Sequence, residues 1–287
     1  MLELFDHPPL HEPVLIVAMA GWIDAGNAAA AATQAILDGS DAEVVGQFDT
    51  DVLLDYRSRR PIVDLYEGHV RDLSWPSIEL LAMVDIEGRH VLVLTGAEPD
   101  HAWGAFTSTV VDTAMDMGVR MVVSLGAYPA PVPHTRTPAL SMTSPSQDLL
   151  DSFPGFVRGT IEVPAGVQTA IEAAAYESGI PALGLWAQIP HYISGLPYPS
   201  GSLQLIEGLQ RVAGVSLPVG ELPTLASTTR TQIDELVSKN DQHQAMVAQL
   251  EELTDSTELA TELGPLPTGD ELAAELQAFL RRQADDS

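Results

Sequence analysis

Short, continuous runs of apolar residues recur along the chain, and such runs are typical of strands buried on both faces of a sheet. The clearest are Val14–Ala20, Val119–Leu125 and Pro181–Gln188. Further strands are predicted over Ala42–Phe48, Pro61–Tyr66, Leu80–Ile86 and His90–Leu94. Glu87 and Gly88 separate the last two runs and predict a hairpin turn.

Segments with apolar side chains at helical spacing lie between these runs. Helices are predicted over Asp24–Leu37, His101–Met117, Gly166–Ser178 and Ser202–Val212. Asp24 suits the N-terminus of the first helix, because its carboxylate can accept hydrogen bonds from the free backbone N–H groups there. The alternation predicts an α/β fold with a mostly parallel sheet and helices on both faces, and the hairpin makes the sheet mixed.

The composition changes after about Pro223, where the chain becomes polar and acidic. Thr228–Leu253 predicts one helix with an apolar stripe. After a glycine- and proline-rich break, Thr268 and Glu271 form a capping box that predicts a last helix. We therefore expect a core domain over residues 1–223 and a helical extension over residues 224–287. The extension either folds back on the main domain or a neighbouring subunit, or serves as a docking arm.

Charge and composition narrow the class of protein. The net charge of −27 over 287 residues disfavours binding to nucleic acid and to anionic membranes. The negative charge either contributes to solubility alone or complements a partner with a basic face. The absence of cysteine excludes disulfides, thiolate metal sites and a cysteine nucleophile. Residues 1–13 lack the features of a signal peptide, and no apolar run approaches the roughly 20 residues of a membrane span, so we expect a soluble, cytoplasmic protein.

Three glycine- and proline-rich loops follow the three clearest strands: 21–26, 125–136 and 189–201. Because the carboxyl ends of parallel strands share one edge of a sheet, these loops are expected to converge on one crevice. The predicted ligand or partner crevice consists of Gly21, Trp22, Asp24, Gly26, Glu98, Asp100, His134, Arg136, His191 and Tyr192.

The candidate catalytic residues are Asp24, Glu98, His134 and His191, but they form no complete catalytic set. A histidine beside a carboxylate can act as a general base, and Arg136 can hold an anionic substrate. The alternative is that both histidines hydrogen-bond the irregular backbone of their loops. The chain has no HxH, HExxH or GxSxG spacing, so we predict no metal, no cofactor and no serine nucleophile.

Several short motifs occur in a fixed order between about residues 12 and 218. They are Gly21-Trp22 with Asp24-Ala25-Gly26, Glu98-Pro99-Asp100 with Trp103 and Phe106, Leu125-Gly126-Ala127 with Val132-Pro133-His134-Thr135-Arg136, and Gly179-Ile180-Pro181 with Leu185-Trp186-Ala187 and Pro190-His191-Tyr192. With this set the chain resembles the proteasome-assembly-chaperone family in its actinobacterial branch. The resemblance implies a three-layer α/β/α sandwich related to purine nucleoside phosphorylases, homo-oligomers and binding to proteasome α-subunits during assembly. It implies no established catalytic activity for the bacterial branch.

We therefore expect a non-catalytic, homo-oligomeric scaffold or chaperone with a protein partner, and proteasome subunits are the candidate partner. The alternative is a small-molecule enzyme or a ligand sensor with a crevice like that of nucleoside phosphorylases or hydrolases. An open pocket that holds His134 and His191 beside a carboxylate would favour the enzyme. Rings turned into packed protein would remove its support.

Overall fold

The computed structural model describes residues 1–21 and 23–262. Trp22 and the predicted last helix after Thr268 lie outside the described residues. The strands are β1 (Leu2–Leu4), β2 (Val14–Ala20), β3 (Glu43–Phe48), β4 (Ile62–Tyr66), β5 (His69–Ser74), β6 (Ile78–Val84), β7 (His90–Ala97), β8 (Met121–Ala130), β9 (Leu140–Thr143) and β10 (Ala182–Pro190). The helices are α1 (Ala28–Asp38), α2 (Thr50–Leu53), α3 (Trp103–Asp116), α4 (Gln147–Ser152), α5 (Val167–Glu177), α6 (Pro199–Ala213), α7 (Leu222–Ser238) and α8 (Asp241–Glu262).

Eight strands form one sheet in the order β1-β3-β6-β7-β2-β8-β10-β9. β7, β2, β8 and β10 are parallel neighbours at its centre. β6 pairs antiparallel to both β7 and β3, and the edge strands β1 and β9 are also antiparallel to their neighbours. The sheet is therefore mixed, with most strands running in one direction. The predicted turn at Glu87 and Gly88 is confirmed between β6 and β7.

Helices cover both faces of this sheet, which confirms the predicted three-layer α/β/α fold. Along β2 the side chains of Val14 and Ile16 pack toward one face, against α1, α6 and α7. Those of Leu15 and Val17 pack toward the other face, against α3 and α5. This alternation follows from the two-residue repeat of a strand, and it explains why a strand buried on both faces reads as a continuous apolar run.

The single helix predicted over Thr228–Leu253 is wrong, because the structure has two helices there. α7 ends at Ser238, and α8 begins at Asp241. The side chain of Asn240 causes the break: its Oδ1 accepts hydrogen bonds from the N–H groups of Gln242 and His243, at 2.9 and 3.4 Å. Asn240 thereby caps a new helix instead of continuing the old one. The division of the chain at residue 223 stays a prediction.

The strand predicted over Pro61–Tyr66 is found as β4, but it lies outside the main sheet. Among the described strands it pairs only with β5, which the sequence pattern did not predict, to form a separate two-stranded hairpin. Every residue of both strands is exposed. Within the described part of the chain, no helix is long and apolar enough to cross a membrane.

Candidate functional site

The predicted loops follow β2, β7, β8 and β10, the four parallel strands at the centre of the sheet. Their carboxyl ends therefore lie along one edge, as expected from the order of strands and helices. Gly26 is tied to the loop after β10, because its N–H donates to the Ser194 carbonyl at 2.8 Å and its carbonyl accepts from the Tyr198 N–H at 2.9 Å. Three separate groups of side chains occupy this edge.

The first group surrounds Asp24 at the start of α1. The Asp24 carboxylate accepts hydrogen bonds from the N–H groups of Ala29 and Ala30, at 2.8 and 2.9 Å. Burial raises the pKa of Asp24 above its ordinary value, although these backbone hydrogen bonds partly oppose the shift. The carboxylate thus uses the N–H groups that an anion would need, and it acts as the predicted cap.

The second group joins Glu98 and Asp100 through an arginine that the sequence analysis missed. Arg59 donates to Asp100 Oδ1 at 2.7 Å and to the backbone carbonyl of Glu98 at 2.5 Å. Glu98 Oε1 accepts the N–H of Val167 at the start of α5, at 2.7 Å. Gly21 leaves room for this group, since a Cβ there would lie 2.7 Å from the Arg59 guanidinium. Asp100 Oδ2 accepts the N–H of Asp55 at 2.8 Å, so both carboxylates hold backbone segments in place.

The third group is centred on His134, whose side chain is fully buried. Its Nδ1 lies 2.6 Å from the Tyr192 hydroxyl, and its Nε2 lies 3.0 Å from Asp234 Oδ1. Because a carboxylate only accepts, Nε2 carries the proton and Nδ1 accepts from Tyr192. Burial lowers the pKa of His134, and the neighbouring Asp234 partly opposes this shift. The ring is therefore held neutral, with both nitrogens engaged.

The loop that carries His134 is fastened to α7 and α8. Arg230 of α7 donates to the His134 carbonyl at 2.9 Å and pairs with Asp234 at 3.1 Å. Arg136 donates to both carboxylate oxygens of Asp255 in α8, at 2.8 and 2.9 Å. Two-pronged arginine–carboxylate pairs fix orientation as well as charge. Of the two alternatives for the acidic extension, its described helices follow the first and fold back on the core.

His191 lies apart from any such arrangement. Its side chain is exposed, and its Nδ1 is 3.4 Å from the Ala130 carbonyl. It reaches His134 only through Tyr192, whose ring packs edge-on against both imidazoles. The carboxylate at His134 is Asp234, whereas the candidate residues Glu98 and Asp100 belong to the second group. Apart from Trp22, which lies outside the described residues, the predicted residues thus share one edge but not one open pocket around both histidines.

Two cavities of about 660 and 580 Å³ lie elsewhere, lined in part by Trp75 and by Arg89. Among residues 1–21 and 23–262, no three histidine, aspartate or glutamate side chains are grouped so that they could hold a metal ion.

Comparisons with known proteins bear on this architecture. A sequence model of the PAC2 family matches residues 18–237. None of the curated proteins matches the chain. Among solved structures, a Mycobacterium tuberculosis protein of unknown function is 33% identical with a TM-score of 0.83, and the match covers 91% of each chain. A PAC2 family protein from Streptomyces avermitilis is 32% identical with a TM-score of 0.74, over 83% of this chain and 99% of that one. A proteasome-assembly chaperone homologue from Mycobacterium tuberculosis is 29% identical with a TM-score of 0.75, over the same shares.

Proposed function

Since the chain belongs to the PAC2 family, we propose that it is a non-catalytic, homo-oligomeric scaffold or chaperone that binds proteasome subunits during assembly. The similar structure of a protein described as a proteasome-assembly chaperone homologue supports this setting. The single observation that carries the proposal is the β4–β5 hairpin, which projects apolar side chains into solvent.

The hairpin has the composition of a contact surface. Ile62 is 74% exposed, Leu65 58% and Val70 57%. A two-stranded hairpin is marginally stable in water without a covering surface. Monomeric proteins rarely expose apolar patches of this kind, whereas interfaces use them. The hairpin therefore gains stability when a second protein surface covers it.

The charge of this segment also suits association. Residues 57–73 contain four arginines against three acidic residues, in a chain whose net charge is −27. Two copies of so acidic a chain repel each other over most of their surface. The hairpin is a region where that repulsion is weak and where the exposed Arg57, Arg60 and Arg71 can face the acidic surface of a second copy, whereas Arg59 is paired with Asp100. This favours self-association through the hairpin over contact elsewhere.

An enzyme or ligand sensor built on the crevice has less support. The His134 ring is enclosed beneath α7 and α8, and its nitrogens are both engaged. A general base needs access to the proton that it removes. His191 is exposed, but its ring nitrogen faces a backbone carbonyl and not a carboxylate.

The test compares two substitutions at isoleucines of equal exposure. Ile62 in the hairpin is 74% exposed and Ile86 in the β6–β7 turn is 72% exposed, so Ile62→Asp and Ile86→Asp place the same charge on equally exposed sites. We expect light scattering after gel filtration to give an oligomer for the wild type and Ile86→Asp, and a smaller species for Ile62→Asp. Binding to purified proteasome α-subunits should fall with the same variant. A monomeric wild type, or equal behaviour of both variants, would contradict the proposal.

A further inference from the structure

The cavity of about 660 Å³ lies at the base of the hairpin and combines aromatic with acidic side chains. Its lining includes Glu3, Phe48, Asp49, Asp51, Tyr56 and Trp75. Trp75 is 54% exposed, and its ring meets Tyr56 edge-on, with centroids 4.8 Å apart at 71°. The Trp75 indole therefore offers an aromatic surface to any ligand in the cavity.

The two aspartates are oriented but not neutralised. Asp51 Oδ1 accepts the Tyr56 hydroxyl at 2.7 Å, and Asp49 Oδ1 accepts the N–H of Asp51 at 3.1 Å. Over the part of the chain that the structure describes, the second oxygen of each carboxylate accepts no hydrogen bond, and neither aspartate forms an ion pair. Burial raises the pKa of the Tyr56 hydroxyl, and the nearby charges of Asp51 and Asp49 add to the shift. The remaining carboxylate oxygens of Asp49 and Asp51 can therefore accept hydrogen bonds from a ligand.

We propose that this cavity binds the side chain of an arginine in a basic segment of a partner protein. A guanidinium is planar, so it can stack on the Trp75 indole while its N–H groups donate to Asp49 and Asp51. Lysine has no flat group to stack and donates from a point charge. The cavity is large enough for an arginine side chain with part of its backbone.

The net charge supports the peptide as the source. A chain of charge −27 attracts a basic segment from a distance, more strongly than it attracts a single amino acid. The inference deepens the proposed partner-binding function and rests on it for the origin of the arginine. The two are tested separately, because Ile62 lies in the hairpin and does not line this cavity.

In the experiment the full chain is titrated with a short capped peptide that contains one arginine. Isothermal titration calorimetry at low salt measures the affinity. The same peptide with citrulline is the matched control, since citrulline keeps the shape of arginine without its charge. The amino terminus carries no tag, because Met1 and Glu3 line the cavity. We expect the arginine peptide to bind at least about fivefold more tightly than the citrulline and lysine peptides.

Two variants locate the binding. Trp75→Ala and Asp51→Asn should each weaken arginine-peptide binding at least about fivefold. Matched controls are Tyr176→Ala, an exposed aromatic on α5, and Asp148→Asn, which like Asp51 lies in the first turn of a helix. Both controls should bind like the wild type. The inference is overturned by equal binding of the citrulline peptide, by wild-type affinity in both cavity variants, or by no heat at millimolar peptide. Equal affinity for arginine amide would overturn the peptide as the occupant.

Discussion

Glu172 yields a sharp prediction because its carboxyl group is buried in an apolar layer. It lies on α5, is 1% exposed, and faces the hydroxyls of Ser124 in β8 and Thr143 in β9. Burial raises its pKa from 4.5 to about 7, although the two hydroxyls partly oppose the shift. The folded protein therefore holds this proton more tightly than the unfolded chain does.

The size and sign of the effect follow from this difference in pKa. A shift from 4.5 to about 7 corresponds to about 3 kcal/mol of folding free energy. Because the pKa is raised in the folded state, this contribution is fully present below pH 4.5 and is lost as the pH rises through 7. Between about pH 5 and about pH 8, Glu172 alone should lower the free energy of unfolding by about 2.5 kcal/mol.

The substitution Glu172→Gln removes the titration and keeps the shape of the side chain. Urea unfolding should give similar stabilities for variant and wild type near about pH 5, and a variant more stable by about 2–3 kcal/mol near about pH 8. Other titrating groups are common to both proteins and cancel in the difference. Glu177→Gln, an exposed change on the same helix, should show no such trend. A difference between Glu172→Gln and wild type that does not vary with pH would refute the reasoning.

Two further predictions concern packing and charge. In Gly126→Ala the new Cβ would lie 2.3 Å from the Trp186 ring. We therefore expect the free energy of unfolding to fall by about 1–3 kcal/mol and the tryptophan emission to change. The control Gly159→Ala, whose Cβ would have no atom within 4 Å, should melt like the wild type. Burial alone would raise the pKa of Asp85, but hydrogen bonds from three backbone N–H groups and from the Arg89 side chain outweigh it and lower the pKa. Asp85→Ala should therefore lower the free energy of unfolding in urea by roughly 3 kcal/mol at neutral pH. The wild type should lose this advantage over the variant as the pH falls through the lowered pKa of Asp85. A difference between the two proteins that stays the same in acid would contradict the prediction.

The central strands were predictable because each is buried on both faces and so reads as an unbroken apolar run. The hairpin strand β5 and the short edge strand β9 lack that signal. β5 is exposed on both faces, and β9 spans four residues. The break between α7 and α8 depends on one side chain, Asn240, within a helical pattern. Sequence periodicity therefore predicted the burial of strands well and their pairing less well.

The convergence of the loops could be predicted from the order of strands and helices. The side chains that contact these loops from distant parts of the chain could not. His134 and Asp234 are 100 residues apart, and they meet only because α7 folds back over the loop after β8. Arg230 and Asp234 are four residues apart on one helix, a spacing that predicts an ion pair. This spacing does not show where the helix packs on the rest of the fold. Arg59 likewise reaches Asp100 from the segment before the hairpin. Such contacts depend on how elements are placed, which local pattern does not encode.

The few cations of this chain explain why its acidic surface and its enclosed loops occur together. Arg59, Arg136 and Arg230 each form an ion pair with a neighbouring carboxylate and so fasten loops to the rest of the fold. Such a pair cancels its own charges, so the net charge of −27 comes from the excess of 40 acidic residues over 13 lysines and arginines. Within the described residues Asp49 and Asp51 form no ion pair, and they stand beside Tyr56 and the exposed Trp75. The side chain of a basic partner can pair with them, and this is the interaction that we propose for the cavity at the base of the hairpin.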